Sequence, residues 1–126
     1  MRDGKHVVLY VDDDPDYRMA VRSILEAHGY EMDEAASAEE GMRVFKSTSP
    51  DFVLVDLMME EIDAGTSLVR EMKAQGASIP IYMLSSVGEN LTMNTDYREL
   101  GLDGVLQKPV EADRLLKVLR SKLEPA

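Results

Sequence analysis

Four of the five residues from Asp12 to Asp16 are acidic, in the run Asp12-Asp13-Asp14-Pro15-Asp16, and a further aspartate, Asp56, stands alone behind a distant apolar run. Carboxylates brought to one place repel one another unless a cation neutralises them. A donor set made only of hard oxygens, with no cysteine in the chain, favours Mg²⁺ or Mn²⁺. Two other residues follow apolar runs in the same manner: Ser85, which could bond an anion through its hydroxyl, and Lys108, which could pair with its charge. A metal, a lysine, a hydroxyl and a free carboxylate are the parts that phosphoryl transfer needs, because that chemistry is mostly charge neutralisation and positioning. A carboxylate can itself be the nucleophile and become an aspartyl phosphate. Asp56, central and without an acidic neighbour in sequence, is the best placed for that role.

These residues act together only if the chain delivers them to one edge of one framework. His6–Val11 (HVVLYV), Phe52–Val55 (FVLV) and Pro80–Leu84 (PIYML) are short apolar runs that suit buried strands. Tyr30–Glu34 alternates weakly and reads as an edge strand, and Val105-Leu106 as a very short one. Between them lie helical patterns. Asp14-Pro15 is an N-cap followed by a proline at the first helical position, opening a helix with Tyr17, Ala20, Val21, Ile24 and Leu25 on one face and Gly29 at its end. Ser37-Ala38-Glu39-Glu40 is a capping box, Ser37 reaching forward and Glu40 back, ahead of Met42, Val44 and Phe45. A third helix is predicted over Gly65–Gln75, with Leu68, Val69 and Met72 inward and Gly76 as its stop. Asn90–Leu100 is a helix of poor propensity because of Thr92, Asn94 and Thr95, and Glu111–Leu123 is amphipathic with Leu115, Leu116, Val118 and Leu119 toward a core. Fivefold alternation of strand and helix predicts an α/β sandwich on a parallel sheet. In such sheets ligands bind at the carboxyl ends of the strands. The flavodoxin-like strand order 2-1-3-4-5 sets strands one and three side by side, and with them Asp12, Asp13 and Asp56.

Composition narrows the field. The chain has 126 residues, which is one domain by size, and no cysteine, so neither a disulfide framework nor a thiolate site can form. Fourteen basic residues against 24 acidic ones leave a formal charge of −10, which opposes direct binding to nucleic acid or to an anionic membrane. The mild enrichment of Arg114, Lys117, Arg120 and Lys122 reads as a solvated helix face. No apolar run is long enough to cross a bilayer and the first residues do not form a signal peptide, so the expected compartment is the cytoplasm. An EF-hand that began at Asp12 would need glycine at Tyr17 and glutamate at Ser23, and neither is there. There is no Walker lysine motif and no G-x-G-x-x-G.

From His6 to Leu123 the sequence resembles the receiver domain of two-component response regulators. The resemblance is carried by V-D-D-D-P-D-Y-R, by L-V-D-L-M-M, by the hydroxyl closing P-I-Y-M-L-S-S, and by G-V-L-Q-K-P. It implies a (βα)5 flavodoxin-like fold formed by residues 1–126 as one domain. It implies a phosphoryl group accepted on Asp56, and Mg²⁺ held by Asp13, Asp56 and the backbone carbonyl of Met58, with Asp12 acting through water. Ser85 would bond a phosphoryl oxygen, and Lys108 would pair with the group beside a cis bond to Pro109. The donor would be a phosphohistidine on a sensor histidine kinase or phosphotransfer protein, and small donors such as acetyl phosphate would serve as well. The output would be a downstream protein or an attached effector domain, with the segment over Asn90–Leu100 as the moving part.

The chain departs from the family pattern at three places. Glu60 stands where a proline is usual after the acceptor, and Ala64-Gly65 where the loop glycine falls. Val105 occupies the position of the aromatic switch residue. The positions two beyond the acceptor and two beyond the hydroxyl, Met58 and Val87, are both apolar and offer nothing to position a water, which implies slow dephosphorylation. Two other functions compete. Asp12-x-Asp14 mimics the opening of haloacid-dehalogenase-type phosphatases, but that reading leaves Asp56 without a role. The other is a receiver-like binding module that is never phosphorylated.

Overall fold

Five short strands, all but the edge strand β2 with an apolar centre, pair in parallel in the order β2-β1-β3-β4-β5. The computed structural model describes residues 2, 4–56, 64–76, 78–85, 102–108 and 110–123. In chain order the elements are β1 (Val7–Val11), α1 (Pro15–Ala27), β2 (Glu31–Ala35), α2 (Ala38–Thr48), β3 (Phe52–Asp56), α3 (Ala64–Ala74), β4 (Ile81–Ser85), β5 (Gly104–Gln107) and α4 (Ala112–Leu123). This is the predicted α/β architecture and strand order. The helix predicted over Asn90–Leu100 lies outside the described residues.

Local chemistry explains most element boundaries. The Asp14 side chain accepts from the Asp16 amide at 2.9 Å, and Pro15 opens α1. Gly29, at φ 84, turns the chain out of that helix in a conformation that side chains resist. Ser37 caps α2 by accepting from the Glu40 amide at 3.1 Å, while the Glu40 carboxylate reaches back to the Ala36 amide at 2.8 Å rather than to Ser37 itself. The strands run further than their apolar residues do. Asp56 and Ser85 are the last ladder residues of β3 and β4, where the apolar pattern predicts Val55 and Leu84 as the ends, and β5 spans four residues rather than two. Backbone pairing does not depend on side-chain polarity, so the ladder carries polar residues to the rim.

The strands alternate their side chains between two cores. Val8, Tyr10, Phe52, Leu54, Leu84 and Leu106 pack on one face against Val21 and Leu25 of α1 and Leu115, Leu116 and Leu119 of α4. Leu9, Val11, Val53, Val55, Ile81 and Met83 pack on the other against Met42 of α2 and Leu68, Val69 and Met72 of α3. Both faces of the sheet are therefore covered, as parallel sheets require. The exposed edge of β2 is guarded by charge: Arg2 pairs with Glu31 and Asp33, and Arg18 and Arg22 pair with Glu34. Arg114, Lys117 and Arg120 of α4 are exposed, as expected of a solvated face.

Gly104 is buried at the start of β5, and a Cβ there would stand 2.5 Å from the Tyr82 ring. That ring is stacked on Phe52 at 5.3 Å between centroids and has little room to retreat. Gly104→Ala is expected to cost about 1–3 kcal/mol, read as a lower urea midpoint in equilibrium unfolding. An unchanged midpoint would show that Tyr82 yields freely.

Candidate functional site

The carboxyl rim of the sheet is set by register. Val11 lies opposite Val55, Asp56 opposite Leu84, and Ser85 opposite Gln107. The ladders run one residue beyond the strands. The Asp12 amide donates to the Ala35 carbonyl at 3.0 Å, and the Lys108 amide to the Ser85 carbonyl at 2.8 Å. Asp12, Asp56, Ser85 and Lys108 are thereby delivered to one edge. Strand alternation then selects the face. Asp12 follows Tyr10 by two, Asp56 follows Leu54 by two and Lys108 follows Leu106 by two, and all three leading residues belong to the core under α1 and α4. Ser85 follows Met83 by two and belongs to the opposite face by the same count.

The charges meet accordingly. Asp12, Asp13 and Asp56 each offer a carboxylate oxygen, and these atoms all lie within 4.8 Å of one another. Asp12 and Asp56 are buried and Asp13 is exposed. The Lys108 ammonium stands 2.9 Å from Asp12 Oδ2 and 3.2 Å from Asp56 Oδ1. Its other side rests on the Tyr17 ring, 4.2 Å from the centroid, a cation–π arrangement. Burial alone would lower the pKa of Lys108. The hydrogen bond to Asp12 and the charges of Asp56 and Asp12 outweigh it and hold the ammonium above the ordinary lysine range. Ser85 is buried at the end of β4.

Asp12 is held from every side. Its Oδ1 accepts from the Asp14 amide at 2.9 Å, its Oδ2 accepts from the Tyr10 hydroxyl as well as from Lys108, and its backbone carbonyl accepts from Arg18 Nη1 at 2.7 Å. Burial, followed by the hydrogen bond to Asp12 and the charge of that carboxylate, pushes the Tyr10 hydroxyl far above the usual phenol range, so it stays protonated and donates. Tyr10, Tyr17 and Arg18 are therefore parts of the site to which the sequence pattern assigns no role, although Tyr17 and Arg18 close the V-D-D-D-P-D-Y-R motif. Tyr10 reads as one more core residue of an apolar run and Tyr17 as a core-facing helix residue. The available signal is spacing, since residues two apart on a strand share a face and Tyr10 stands two before Asp12.

The oxygen donors suit a hard divalent cation. They include no softer ligand, and one lysine leaves a net negative charge among the three aspartates to attract it. Val105, the expected switch position, pairs with Met83 across the sheet and is partly buried against the core under α2 and α3. Met58, whose carbonyl is the remaining expected metal ligand, lies outside the described residues, as do Glu60, Val87 and Pro109.

The sequence matches the family model of the response regulator receiver domain over residues 8–120. The chain belongs to that family. It is 34% identical to the chemotaxis protein CheY of Bacillus subtilis over 94% of this chain and 98% of the relative. It is 32% identical to a probable transcriptional regulator, ycf27, of Pyropia yezoensis, over all of this chain and 51% of the relative, so it spans about half the length of relatives of that kind. Among solved structures, the receiver domain of NtrX from Brucella abortus superposes with a TM-score of 0.84 at 30% identity, covering 94% of this chain and 99% of that one. A CheY-like receiver domain from Methanospirillum hungatei does so with a TM-score of 0.83 at 27% identity, covering 96% and 95%. Receiver domains are signalling switches that bind Mg²⁺ at an acidic pocket and interact with histidine kinases and output domains. Asp12, Asp13 and Asp56 form an acidic cluster at the carboxyl edge of this receiver domain. Among the described residues no helix is long and apolar enough to cross a membrane.

The raised pKa of Lys108 has a consequence for stability. A lysine titrates near pH 10.4 when unfolded. Because the folded value is higher, its ion pairs contribute fully below the unfolded value, and the contribution is lost as pH rises through the folded one. The stability difference between wild type and Lys108→Met, measured by urea unfolding, is expected to stay level up to about pH 10 and to shrink only above it. A difference that grew with pH would reverse the sign of this assignment.

Proposed function

We propose that residues 1–126 form a single cytoplasmic receiver domain that takes a phosphoryl group from a phosphohistidine onto Asp56 and changes conformation in response. The observation that carries this reading is the Lys108 ammonium within 3.2 Å of the Asp56 carboxylate inside a cluster of three aspartates. An Asp56 oxygen attacks phosphorus, the P–N bond of the donor breaks, and its electron pair leaves with the imidazole. Lys108 already shares its charge between Asp56 and Asp12, and a short shift of Nζ turns it toward the incoming phosphoryl oxygens. Ser85, at the same rim but on the other face by strand alternation, moves over the edge when the phosphoryl group arrives, and its hydroxyl donates to one of those oxygens. Asp12, Asp13, Asp56 and the Met58 carbonyl would hold Mg²⁺, or Mn²⁺, which when bound would supply charge neutralisation for the transferring group. The chain catalyses only its own modification and is not a turnover enzyme. The donor is a sensor histidine kinase or a phosphotransfer protein, and the output is a partner protein or an attached domain.

Val105 supports a switch that runs without the aromatic ring of the usual receiver. Among the described residues, one route from Ser85 toward the surface is the β4–β5 pairing, where the Lys108 amide bonds the Ser85 carbonyl at 2.8 Å. To move a two-state equilibrium from 1:99 to 99:1 the phosphoryl group must favour one state by about 5.5 kcal/mol.

Incubated with acetyl phosphate and Mg²⁺ and weighed intact, the chain is expected to gain one phosphoryl group. The gain should vanish with EDTA and in Asp56→Asn. Modification that persists in Asp56→Asn would refute the acceptor assignment, and a chain that takes no phosphoryl group would be a binding module instead.

Met58 and Val87 offer no polar group to orient an attacking water. The phosphorylated form is therefore expected to persist for minutes or longer at neutral pH, followed by mass over time after the donor is removed. Loss within seconds would show that water is positioned by other groups.

A further inference from the structure

Tyr10 lies wholly inside β1, 0% exposed, in the core formed with α1 and α4. Phenylalanine would fill that core with the same ring. A hydroxyl buried there is costly unless it is bonded. It is bonded, to Oδ2 of Asp12, the same oxygen that takes the Lys108 ammonium at 2.9 Å. The remaining oxygen of Asp12 takes the Asp14 amide at 2.9 Å. Of these three donors, Lys108 is the one shared with Asp56. Tyr10 and Asp14 instead come from the same strand and turn as Asp12, two residues to either side.

We propose that Tyr10 is a positioning residue of the carboxylate site: its hydroxyl holds Asp12 in place independently of Lys108, and so sets the affinity of the site for a divalent cation. The inference rests on the reading of Asp12, Asp13 and Asp56 as that cation's ligands. With Tyr10 in place, Asp12 keeps one donor on each oxygen whether or not Lys108 is turned toward it. Without the hydroxyl, Oδ2 depends on Lys108 alone. The lysine is then drawn more tightly onto Asp12, its charge competes directly with the cation, and the carboxylate loses a donor that fixes its plane. Donors behind a ligating group commonly change metal affinity by about 10–100-fold when removed. Arg18 anchors the backbone carbonyl of the same residue and leaves the carboxylate's rotation to these side-chain and amide donors.

The test is a Mn²⁺ titration of the whole chain at neutral pH, with free Mn²⁺ read by electron paramagnetic resonance, alongside urea unfolding in EDTA. Tyr10→Phe keeps the ring and removes only the hydroxyl, and its Kd for Mn²⁺ is expected to rise by about tenfold. Leu25→Val loosens the same core without touching Asp12; it should lower stability and leave Kd unchanged. An unchanged or tighter Kd in Tyr10→Phe overturns the inference. So does an equal weakening in Leu25→Val, which would make the effect a general loosening of the core. A wild-type chain that binds Mn²⁺ and accepts a phosphoryl group while Tyr10→Phe binds as tightly rejects Tyr10 alone. A wild-type chain that takes up no Mn²⁺ rejects the cation site and, with it, the role of Tyr10.

Discussion

Two buried aspartates and an exposed one meet at a single sheet edge, and one lysine stands between the buried pair. At 3.2 Å and an effective dielectric near 20, attraction between unit charges is of order 5 kcal/mol before desolvation is counted. Without Lys108, Asp12 and Asp56 would be left as like charges out of water, a situation that proteins tolerate poorly. The ion pair does not neutralise the cluster, because one positive charge faces three carboxylates. What remains is a site of net negative charge, which attracts a divalent cation, with its one counter-charge held between Asp12, Asp56 and the Tyr17 ring.

Everything beneath that edge serves to hold it. The sheet is covered on both faces, so the strands cannot slide without exposing apolar residues. The register that places Val11 opposite Val55 is therefore also the register that places Asp12 beside Asp56. Carboxylates also finish the amino ends of the ladders. Asp51 accepts from the Val7 amide and Asp103 from the Ile81 amide, each at 2.8 Å. The aspartates at the two ends of the sheet thus do different work: at the amino ends each takes a backbone amide, and at the carboxyl ends they face one another.

The fold was legible because its signals are local. Three apolar runs, a weakly alternating edge strand, a very short fifth strand, proline after an N-cap, a capping box, and glycines after helices give the alternation of strand and helix, and the core residues Leu68, Val69, Met72, Leu115, Leu116 and Leu119 follow from helical spacing. The strand ends were less legible. An apolar pattern stops at Val55 and Leu84, whereas hydrogen bonding continues through Asp56 and Ser85. Asp12, Asp13, Asp56, Ser85 and Lys108 could be named as site residues because each follows an apolar run. Tyr10 could not, because it looks like an ordinary core residue of its strand, and Tyr17 and Arg18, though they close the V-D-D-D-P-D-Y-R motif, carried no role there.

By itself the sequence determined which chemical groups are available and at which strand end each must stand, since polarity pattern and chain order set both. It also established the family, through motifs that cover nearly the whole chain. Tertiary structure alone decided which face of the sheet each group shares. The two-residue alternation, read together with which helices cover which face, puts Lys108 with Asp12 and Asp56, and assigns Ser85 to the opposite face by the same count. It also turned Tyr10 from a core residue into a donor on Asp12, because a hydroxyl's partner depends on what packs at the end of its ring. Contacts of that kind join residues through space, and a linear pattern carries no record of them beyond the spacing of two.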